Sequence, residues 1–422
     1  MKKLVLILFL LIGSLFTPMQ IFAEEEKPSI TSDYVYLYDQ TTGQVLWDKG
    51  SKEIIYPASL TKMMTALIAI ENVDNYDQQV LIDERIMSGL KEAGASRAGF
   101  NVGDIVTIRD LIYGTLLPSG AECTQALAYT IAGSVDGYVE MMNQKAQELG
   151  MNDTHYVNTT GLHDDNHYST LYDISLLLDY ALQDDFFKEV FTSSTYQAGI
   201  SKNYPAQGLK MESTSYKYIN NPGSNVPYKV TIDGFNGSKS GYTVEARYCL
   251  ASSATINDMD LILITAHAWV ERKIPSHYLD AGTIYNYYRD TYQRQTLFNV
   301  DDIIKESEIK YRFLDRNVDW KIDEAILLDV PSDPNQLVIE ISIPDVITEN
   351  IKKGDVVGEV IVMSYGEVVY QKEIISDQNI RQNIILHSLA NAVNWIQNNI
   401  LVSGLIVIVV CGGIIIISRK KR

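Results

Sequence analysis

The stretch from Leu60 to Ile70 constrains the fold more than any other part of the sequence. Lys62 and two threonines are its only polar residues, so a helix formed here has apolar side chains on nearly all sides. Helices that are apolar all round are buried inside a protein, whereas surface helices carry a single apolar stripe. The sequence Pro57-Ala58-Ser59 precedes this stretch. We therefore expect a buried central helix that begins near Ser59, with other elements packed around it.

The patterns on either side of this helix predict an α+β domain. Residues 34–48 alternate apolar and polar side chains around a Thr-Thr-Gly-Gln turn, which is typical of a β-hairpin. Helical patterns occupy the middle of the chain, and Thr107 with Asp110 resembles a capping box. Strand-like runs follow at 229–235, 242–256 and 260–270, and a last helix is predicted near 276–289. This order favours one sheet covered by helices.

From residue 296 onward the pattern changes to short strand-like runs separated by turn signals. This change predicts a small all-β domain over residues 296–380. Residues 381–399 then place apolar side chains at helical spacing, with Trp395 at the height of a membrane interface. We expect an amphipathic membrane-proximal helix in this segment.

The first 23 residues have the pattern of a secretory signal peptide. Lys2 and Lys3 precede an apolar run, and Ala23 provides a small residue before the cleavage site. We expect residues 1–23 to be removed, so that the mature chain starts at Glu24. An uncleaved anchor is the alternative.

The last residues have the pattern of a membrane anchor. Residues 400–417 are 18 residues without a charge, which is just enough to span a bilayer as a transmembrane helix. The basic tail at 418–422 is expected to stay in the cytoplasm. A buried core helix is the alternative for this run. Together the two ends predict a protein held on the extracytoplasmic face of the cell membrane by one C-terminal helix.

The net charge excludes one class of partner. The chain has 35 Lys and Arg residues against 53 Asp and Glu residues, a net charge of −18. A surface this acidic repels phosphate backbones, so we expect no nucleic-acid binding.

The histidines and cysteines point to structure rather than to metal chemistry. His163 and His167 stand beside two aspartates, but no His-Glu-x-x-His helix exists, and such loops are usually solvated surface. Cys123 and Cys249 could pair outside the cell, yet both stand in apolar stretches, which favours buried free thiols. We expect no metal site.

Ser59 and Lys62 form the first candidate catalytic pair. A serine at the start of a helix gains from the positive end of the helix dipole, which stabilises developing negative charge. Lys62 lies three residues later, on the same helix face and within reach of the Ser59 oxygen. A lysine becomes a base only when it is neutral, and burial beside a second cation promotes that state. The alternative is a capping serine followed by a solvated lysine.

Two later stretches carry further candidate residues. Ser119 lies at a break between two helices, where its hydroxyl can face a cleft and relay a proton; capping of the next helix is the alternative. At the start of a predicted strand, Lys239 offers a positive charge and Ser240 a hydrogen-bond donor. Gly241 lets a substrate backbone approach closely. An exposed lysine in a surface hairpin is the alternative for this stretch.

In this order the three motifs resemble the set found in serine β-lactamases and penicillin-binding proteins. About residues 30–290 closely resemble the low-molecular-weight penicillin-binding proteins that are serine-type D-alanyl-D-alanine carboxypeptidases (peptidase family S11). The likeness extends to residues 57–66, 109–119, 161–170 and 241–243. It implies a catalytic domain over 28–290 with the β-lactamase-like transpeptidase fold, an antiparallel sheet covered by helices. The β domain and the membrane-proximal helix match the architecture of that family too.

The resemblance also implies a role for each candidate residue. Ser59 would be the acylated nucleophile, Lys62 its general base, and Ser119 the hydroxyl that passes a proton to the leaving D-alanine. The backbone N–H groups of Ser59 and Tyr242 would form the oxyanion hole. Lys239 and Ser240 would hold the terminal carboxylate of the substrate. The implied substrate-binding residues are Lys239, Ser240, Gly241, Tyr242 and Thr243.

This sequence departs from the family pattern at three positions. Ala121 stands where the family usually has an asparagine, whose amide would help to orient the lysine and the substrate. Ser240 replaces the usual threonine and keeps its hydroxyl, while Arg247 replaces a residue that is commonly glycine. We expect the change at Ala121 to lower the catalytic efficiency without changing the fold.

The expected function is a membrane-anchored carboxypeptidase that trims the terminal D-alanine from peptidoglycan stem peptides through an acyl-enzyme on Ser59. Its expected partners are stem peptides ending in D-Ala-D-Ala, β-lactams as covalent inhibitors, and the cell membrane, and no cofactor is expected. A catalytically impaired wall-peptide-binding protein of the same fold is the alternative. A serine β-lactamase fits less well, because residues 161–170 contain no glutamate to hold a deacylating water.

Overall fold

The computed structural model describes residues 25–269, 274–312 and 316–400, which fall into two compact units. The first unit contains Glu25–Gln295 and Leu328–Asp333, and the second contains the described residues of Thr296–Leu327 and of 334–400. The predicted domain boundaries at 28–290 and 296–380 stay predictions.

Helices and strands alternate along the described residues in blocks rather than one by one. The helices are α1 (Thr61–Glu71), α2 (Glu84–Met87), α3 (Ile108–Leu116), α4 (Ala121–Ala132), α5 (Val135–Glu148), α6 (Leu171–Ala181), α7 (Asp185–Thr192), α8 (Ser276–Thr291) and α9 (Ile384–Asn398). The strands of the first unit are β1 (Tyr34–Asp39), β2 (Val45–Lys49), β3 (Gln79–Leu81), β4 (Ile105–Thr107), β5 (Thr195–Gln197), β6 (Lys210–Glu212), β7 (Phe235–Thr243), β8 (Arg247–Ile256) and β9 (Met259–Ala268). The later strands are β10 (Tyr292–Phe298), β11 (Ile303–Ile309), β12 (Asn317–Lys321), β13 (Ile326–Pro331), β14 (Leu337–Ser342), β15 (Val346–Ile347), β16 (Val356–Ser364) and β17 (Glu367–Ile375).

The first unit is built on a five-stranded antiparallel sheet in the order β2-β1-β9-β8-β7. The turn between β8 and β9 places Asn257 and Asp258 at positive φ, a backbone conformation that these residues tolerate better than most and that suits a tight hairpin. Strand β1 belongs to the N-terminal hairpin with β2 and also pairs with β9, with Tyr36 opposite Ile264. The first and the last strands of this unit's main sheet thus pair with each other, while the residues between them supply most of the helices.

Two strand predictions are wrong, and their correction matters for the site. The run at 242–256 is not one strand, because β7 ends at Thr243 and β8 begins at Arg247 after a turn. Residues 229–235 form no strand apart from an isolated bridge between Ile219 and Val230 and the first residue of β7. The strand begins at Phe235 and runs through Lys239 to Thr243, so Lys239 lies in the middle of a strand rather than before its start. Strand β7 occupies the edge of the sheet, paired with β8.

Helix α1 is the centre of the helical layer, as its apolar sequence predicts. Every residue from Thr61 to Ile70 is buried. The helix packs against α3, α4, α5 and α6, which cover it from several sides. Burial of this many apolar side chains is the main stabilising contribution at this position, about 25 cal/mol for each Å² removed from water.

Side-chain caps fix several helix starts, among them those of α3 and α6. At α3, the Thr107 hydroxyl accepts from the Asp110 N–H at 3.1 Å, and the Asp110 carboxylate accepts from the Thr107 N–H at 2.8 Å. At α6, the Thr170 hydroxyl accepts from the Asp173 N–H at 3.0 Å. Each cap of this kind stabilises a helix by about 1 kcal/mol. The cap of α3 sets the direction in which that helix runs toward the Ser119 corner.

The second unit contains the mixed sheet β12-β11-β15 and the antiparallel sheet β14-β16-β17. Trp320 is buried in this unit and its indole N–H donates to Ser307 Oγ at 2.8 Å. Helix α9 follows the strands and has no buried residue; its exposed large apolar side chains include Ile384, Ile385, Leu389, Val393 and Ile396.

No helix within 25–269, 274–312 and 316–400 is both long enough and apolar enough to cross a membrane. The predicted signal peptide at 1–23 and the basic tail at 418–422 lie outside the described residues, and so does the predicted span at 400–417 except for Ile400.

Candidate active site

Ser59 lies in a short 3₁₀ turn that leads into α1. The preceding residue, Ala58, adopts a left-handed conformation with φ of 46°, which is unfavourable for a residue with a Cβ and is typical of functional sites. Gly161 packs directly against this turn: a Cβ at Gly161 would lie 1.8 Å from the Ala58 carbonyl oxygen. The turn that carries Ser59 is therefore held in an unusual backbone conformation by a neighbour that has to be glycine.

Lys62 extends from the first turn of α1 to the Ser59 hydroxyl. Its Nζ lies 3.0 Å from Ser59 Oγ and 2.6 Å from the carbonyl oxygen of Thr160. The side chain is only 2% exposed, so the alternative of a solvated lysine is wrong. Burial lowers the pKa of Lys62 to about 7, against the opposing effect of the Glu122 charge. Near neutral pH a large fraction of Lys62 is therefore uncharged and able to accept a proton.

Ser119 occupies the corner between α3 and α4. It also has a left-handed backbone, with φ of 67°, and its hydroxyl accepts a hydrogen bond from Lys239 Nζ at 3.0 Å. The residue that caps α4 is Gly120, and no side chain caps that helix. The capping alternative for Ser119 is thus wrong, and its hydroxyl is directed to a lysine instead.

Lys239 comes from β7 and is 1% exposed, which excludes the alternative of a lysine on a surface hairpin. Besides Ser119, it donates to the carbonyl oxygen of Ser240 at 3.0 Å. Burial, together with the positive charge of Lys62, holds the pKa of Lys239 well below its ordinary value. The two lysines therefore disfavour each other's charged forms, and the site does not readily hold a proton on both.

The Ser240 hydroxyl belongs to a triangle of hydroxyl groups. Thr214 Oγ1 lies 2.9 Å away, and the Tyr278 hydroxyl lies 3.0 Å from Ser240 Oγ and 3.2 Å from Thr214 Oγ1. Burial raises the pKa of Tyr278 to about 12, so this group stays protonated and can donate. The sequence reasoning missed Thr214 and Tyr278.

The end of β7 lies directly beside the Ser59 turn. A Cβ at Gly241 would lie 2.8 Å from the Ser59 backbone nitrogen, so only glycine allows this approach. Tyr242 is half exposed, with its ring centroid 4.9 Å from that of Tyr248. The Thr243 hydroxyl accepts from the Ala246 N–H at 3.0 Å and so also holds the turn after β7.

These residues surround one cleft of about 430 Å³ in the first unit. Lys239 does not line the cleft itself, but it is hydrogen-bonded to Ser119, which does. Thr214, Tyr278 and the 94–96 loop also line the cleft. The predicted residues on its lining are Ser59, Lys62, Ser119, Ser240, Gly241, Tyr242 and Thr243.

Ala121 stands where the family usually has an asparagine, and its backbone is hydrogen-bonded to the 94–96 loop. Ala121 begins α4, and its N–H donates to the Ser96 carbonyl oxygen at 2.8 Å. The Ser96 hydroxyl in turn donates to the Ser119 carbonyl oxygen at 2.6 Å. Ser96 is thereby hydrogen-bonded to the Ser119 corner through its own carbonyl and hydroxyl groups, while the Ala121 side chain contributes no polar contact.

The histidines considered as metal ligands have structural partners. His167 is buried; its Nε2 lies 2.7 Å from Thr61 Oγ1, and its Nδ1 accepts from the Val157 N–H at 3.1 Å. Burial lowers the pKa of His167 to about 4, so the ring is neutral. Within the part of the chain that the structure describes, no group of three or more His, Cys, Asp or Glu residues is placed to hold a metal. Cys123 and Cys249 are free, buried thiols, as expected.

Known proteins resemble this chain in sequence and fold. The family model described as D-alanyl-D-alanine carboxypeptidase (Peptidase_S11) matches residues 21–269. The D-alanyl-D-alanine carboxypeptidase DacF of Bacillus subtilis is 26% identical over 349 residues, which are 82% of this chain and 85% of that protein. The crystal structure of the Streptomyces K15 DD-transpeptidase has 28% identity and a TM-score of 0.55, and covers 62% of this chain and 98% of its own. The structure of the carboxypeptidase DacD from Francisella tularensis, at 20% identity and a TM-score of 0.68, covers 88% and 98% and shows the shared α+β fold.

Proposed function

The chain belongs to the low-molecular-weight penicillin-binding proteins of peptidase family S11, the serine D-alanyl-D-alanine carboxypeptidases, and from this membership we propose that it trims the terminal D-alanine from peptidoglycan stem peptides through an acyl-enzyme on Ser59. The observation that carries the proposal is that two lysine–serine hydrogen bonds lie at one cleft. Lys62 bonds to Ser59 and Lys239 bonds to Ser119, each at 3.0 Å.

In the acylation step, neutral Lys62 accepts the hydroxyl proton of Ser59, and Ser59 Oγ attacks the carbonyl carbon of the penultimate D-alanine. The peptide C–N bond then breaks. The leaving nitrogen takes a proton from Ser119, whose hydroxyl is replenished from the ammonium group of Lys239 through their hydrogen bond. Acylation therefore ends with Lys62 protonated and Lys239 neutral.

Deacylation reverses these proton positions. Water attacks the ester carbon while its proton passes through Ser119 to Lys239, and Lys62 returns a proton to Ser59 Oγ as the ester bond breaks. Both lysines regain their starting states. The depressed pKa of each lysine suits this exchange, because neither group holds its proton strongly.

The tetrahedral intermediates carry a negative oxygen that needs hydrogen-bond donors. The backbone N–H groups of Ser59 and Tyr242 are the proposed donors, and the close approach of Gly241 to the Ser59 nitrogen supports this pairing of the turn with β7. Loss of one such donor removes about 3–4 kcal/mol of transition-state stabilisation in other serine hydrolases.

The terminal carboxylate of the substrate is proposed to bind beside Lys239 and the Ser240 hydroxyl, at the Thr243 end of β7. A carboxylate there favours the protonated form of Lys239 and leaves Lys62 neutral as the base. β-Lactams would bind in the same way and acylate Ser59. A wall-peptide-binding protein of low activity remains the second candidate function, because the Ala121 side chain contributes no hydrogen bond.

We further propose that the protein acts on the extracytoplasmic face of the membrane, after removal of residues 1–23, and is anchored by residues 400–417. The exposed apolar side chains of α9 support a membrane-proximal position for that helix. A chain truncated after Asn399 is expected to be released from membranes, apart from residual attachment through α9. Retention as tight as that of the full-length chain would contradict the anchor.

The enzymatic proposal is tested by D-alanine release from a peptide ending in D-Ala-D-Ala. Wild type should release D-alanine, whereas Ser59→Ala and Lys62→Ala should not, although both variants should unfold at temperatures close to that of wild type. A folded wild-type protein that binds the peptide without turnover would favour the wall-binding function instead.

A further inference from the structure

A continuous row of aromatic rings lines the cleft, and the reaction steps above use none of these rings. The ring centroids are 4.9 Å apart for Tyr242 and Tyr248, and 4.5 Å apart for Tyr248 and His277. The row continues with 3.9 Å between His277 and Tyr278 and 5.2 Å between Tyr278 and Tyr218. All five residues line the cleft. The cleft therefore carries a continuous aromatic surface.

The row passes through the place where the substrate carboxylate is proposed to bind. The Tyr278 hydroxyl lies 3.0 Å from Ser240 Oγ, and Ser240 is a proposed partner of that carboxylate. In the substrate, the side chain of the terminal residue is attached to the same carbon atom as the carboxylate. We therefore expect this side chain beside the Tyr278 ring and its neighbours Tyr218 and His277. In D-alanine it is a methyl group, which covers little of the aromatic surface.

His277 belongs to the row as a neutral ring. Its side chain is buried, and its Nδ1 has no hydrogen-bond partner among the described residues. Stacking against Tyr248 and Tyr278 thus holds the ring, rather than a hydrogen bond from that nitrogen. Burial lowers the pKa of His277 to about 3, so the ring is uncharged near neutral pH. An uncharged imidazole between two phenol rings extends the aromatic surface and adds no charge to it.

The charges on the cleft lining disfavour a cationic side chain at this place. Among the described residues, the lining includes Lys62 and Lys217 and contains no aspartate or glutamate. Lys217 Nζ lies 5.4 Å from the centroid of the Tyr218 ring, so its charge stands beside the row. A positively charged terminal side chain would meet this lysine without a counter-charge, whereas an aromatic side chain would contact ring faces. The charges and the rings therefore favour the same class of side chain.

We propose that this row is the binding subsite for the side chain of the terminal D-residue, and that the cleft takes stem peptides with an aromatic terminal residue in preference to those ending in D-alanine. The carboxylate of either residue is held as proposed above, while Tyr218, Tyr248 and Tyr278 contact the aromatic side chain. Pairing of two rings strengthens binding about two- to tenfold beyond the effect of the buried area. This inference rests on the proposed function, because it takes the position of the terminal carboxylate from it.

The test compares release of the terminal residue from two peptides that end in D-Ala-D-Ala and D-Ala-D-Phe and are otherwise identical. Wild type should cleave the D-Phe peptide with the higher kcat/KM, by about two- to tenfold. Tyr218→Ala removes one partly exposed ring of the row, so the ratio of the two kcat/KM values should fall toward one. A wild-type ratio of one or less would overturn the proposal.

Tyr180→Ala is the matched control. Tyr180 is an exposed tyrosine on α6 that does not line the cleft, and its hydroxyl donates to Glu71 at 2.9 Å. The ratio in this variant should equal that of wild type. Equal ratios in Tyr218→Ala and Tyr180→Ala would overturn the role of the row. Tyr218→Leu, which keeps an apolar side chain without the ring, replaces Tyr218→Ala if that protein fails to fold.

A binding measurement decides the inference without turnover. Calorimetric titration of Ser59→Ala with each peptide should give a lower Kd for the D-Phe peptide, by about two- to tenfold. Equal Kd values, tighter binding of the D-Ala peptide, or binding of neither peptide would overturn the inference even in an active enzyme. Wild type that neither releases D-alanine nor reacts with penicillin would refute the proposed function, while the titration still decides the subsite.

Discussion

Replacement of Gly161 by alanine is expected to disable the enzyme while it leaves the protein folded. Gly161 has φ of 76°, and its position allows the Ala58 carbonyl group to lie against its Cα. An alanine Cβ would lie 1.8 Å from the Ala58 oxygen, 2.4 Å from the Ala58 carbonyl carbon and 3.0 Å from the Ser59 nitrogen. These are backbone atoms, so no side-chain rotation relieves the clash, and the turn that carries Ser59 has to move.

The size of the effect follows from these distances. Ordinary contacts between such atoms begin near 3.5 Å, so the turn must retreat by roughly 1.5 Å. A displacement of about 1 Å at a reacting group reduces the rate about 100-fold. The left-handed backbone adds about 1–2 kcal/mol of destabilisation in any residue with a Cβ. We therefore expect kcat to fall at least 100-fold, with a modest loss of stability.

Gly133→Ala separates the two contributions. Gly133 ends α4 with φ of 75°, and a Cβ there would meet nothing within 4 Å. It carries the backbone penalty without the clash, so its thermal unfolding should resemble that of Gly161→Ala while its kcat stays near that of wild type. Steady-state D-alanine release and thermal unfolding of both variants are the assays. A kcat of Gly161→Ala within about threefold of that of Gly133→Ala would refute the claim that this glycine positions the nucleophile.

Three further results are expected. The value of kcat/KM should fall about tenfold for each pH unit below about 7, because protonated Lys62 cannot act as the base and burial lowers its pKa to about 7. A flat profile down to pH 5 would contradict this role. Ala121→Asn should raise kcat about 10- to 100-fold, since an amide can supply a transition-state hydrogen bond of about 1–3 kcal/mol. An unchanged or lower kcat in a folded variant would show that the missing amide does not limit the rate. Tyr278→Phe should raise KM about fivefold through the loss of one hydrogen bond to Ser240; a loss confined to kcat would place Tyr278 in the chemical step.

The arrangement of Ser59 and Lys62 could be predicted from sequence because it is local. A spacing of three residues places both side chains on one face of a helix, and the apolar residues that follow require that helix to be buried. The structure has Lys62 Nζ within 3.0 Å of the serine oxygen, in a setting that lowers its pKa.

The contacts made by Thr214, Tyr278 and Glu122 could not be predicted in the same way. Thr214 is 26 residues from Ser240, and Tyr278 is 38 residues from it. Only the order of strands in the sheet and the packing of α8 against β8 and β9 bring such groups together. Glu122 resembles an ordinary acidic residue in the first turn of a helix, and its burial becomes evident only in the folded protein.

The sequence does not predict the position of β7, because its glycines are not typical of a strand. Gly237 and Gly241 are poor strand formers, whereas Val230, Thr231 and Ile232 favour strands. In the structure both glycines are required by close backbone approaches: a Cβ at Gly237 would lie 2.3 Å from the Phe191 carbonyl oxygen, and one at Gly241 would lie 2.8 Å from the Ser59 nitrogen. Packing requirements of the site thus override the intrinsic preference of the residues.

The central claim is that Ser59 is the acylated nucleophile, and intact-mass analysis with a labelled penicillin tests it most directly. Wild type is expected to gain the mass of one penicillin, and peptide mapping is expected to locate the label on Ser59. Ser59→Ala should gain no mass, and Lys62→Ala should lose acylation while it keeps its fold. Equal labelling of wild type and Ser59→Ala, or a label on another residue, would contradict the account.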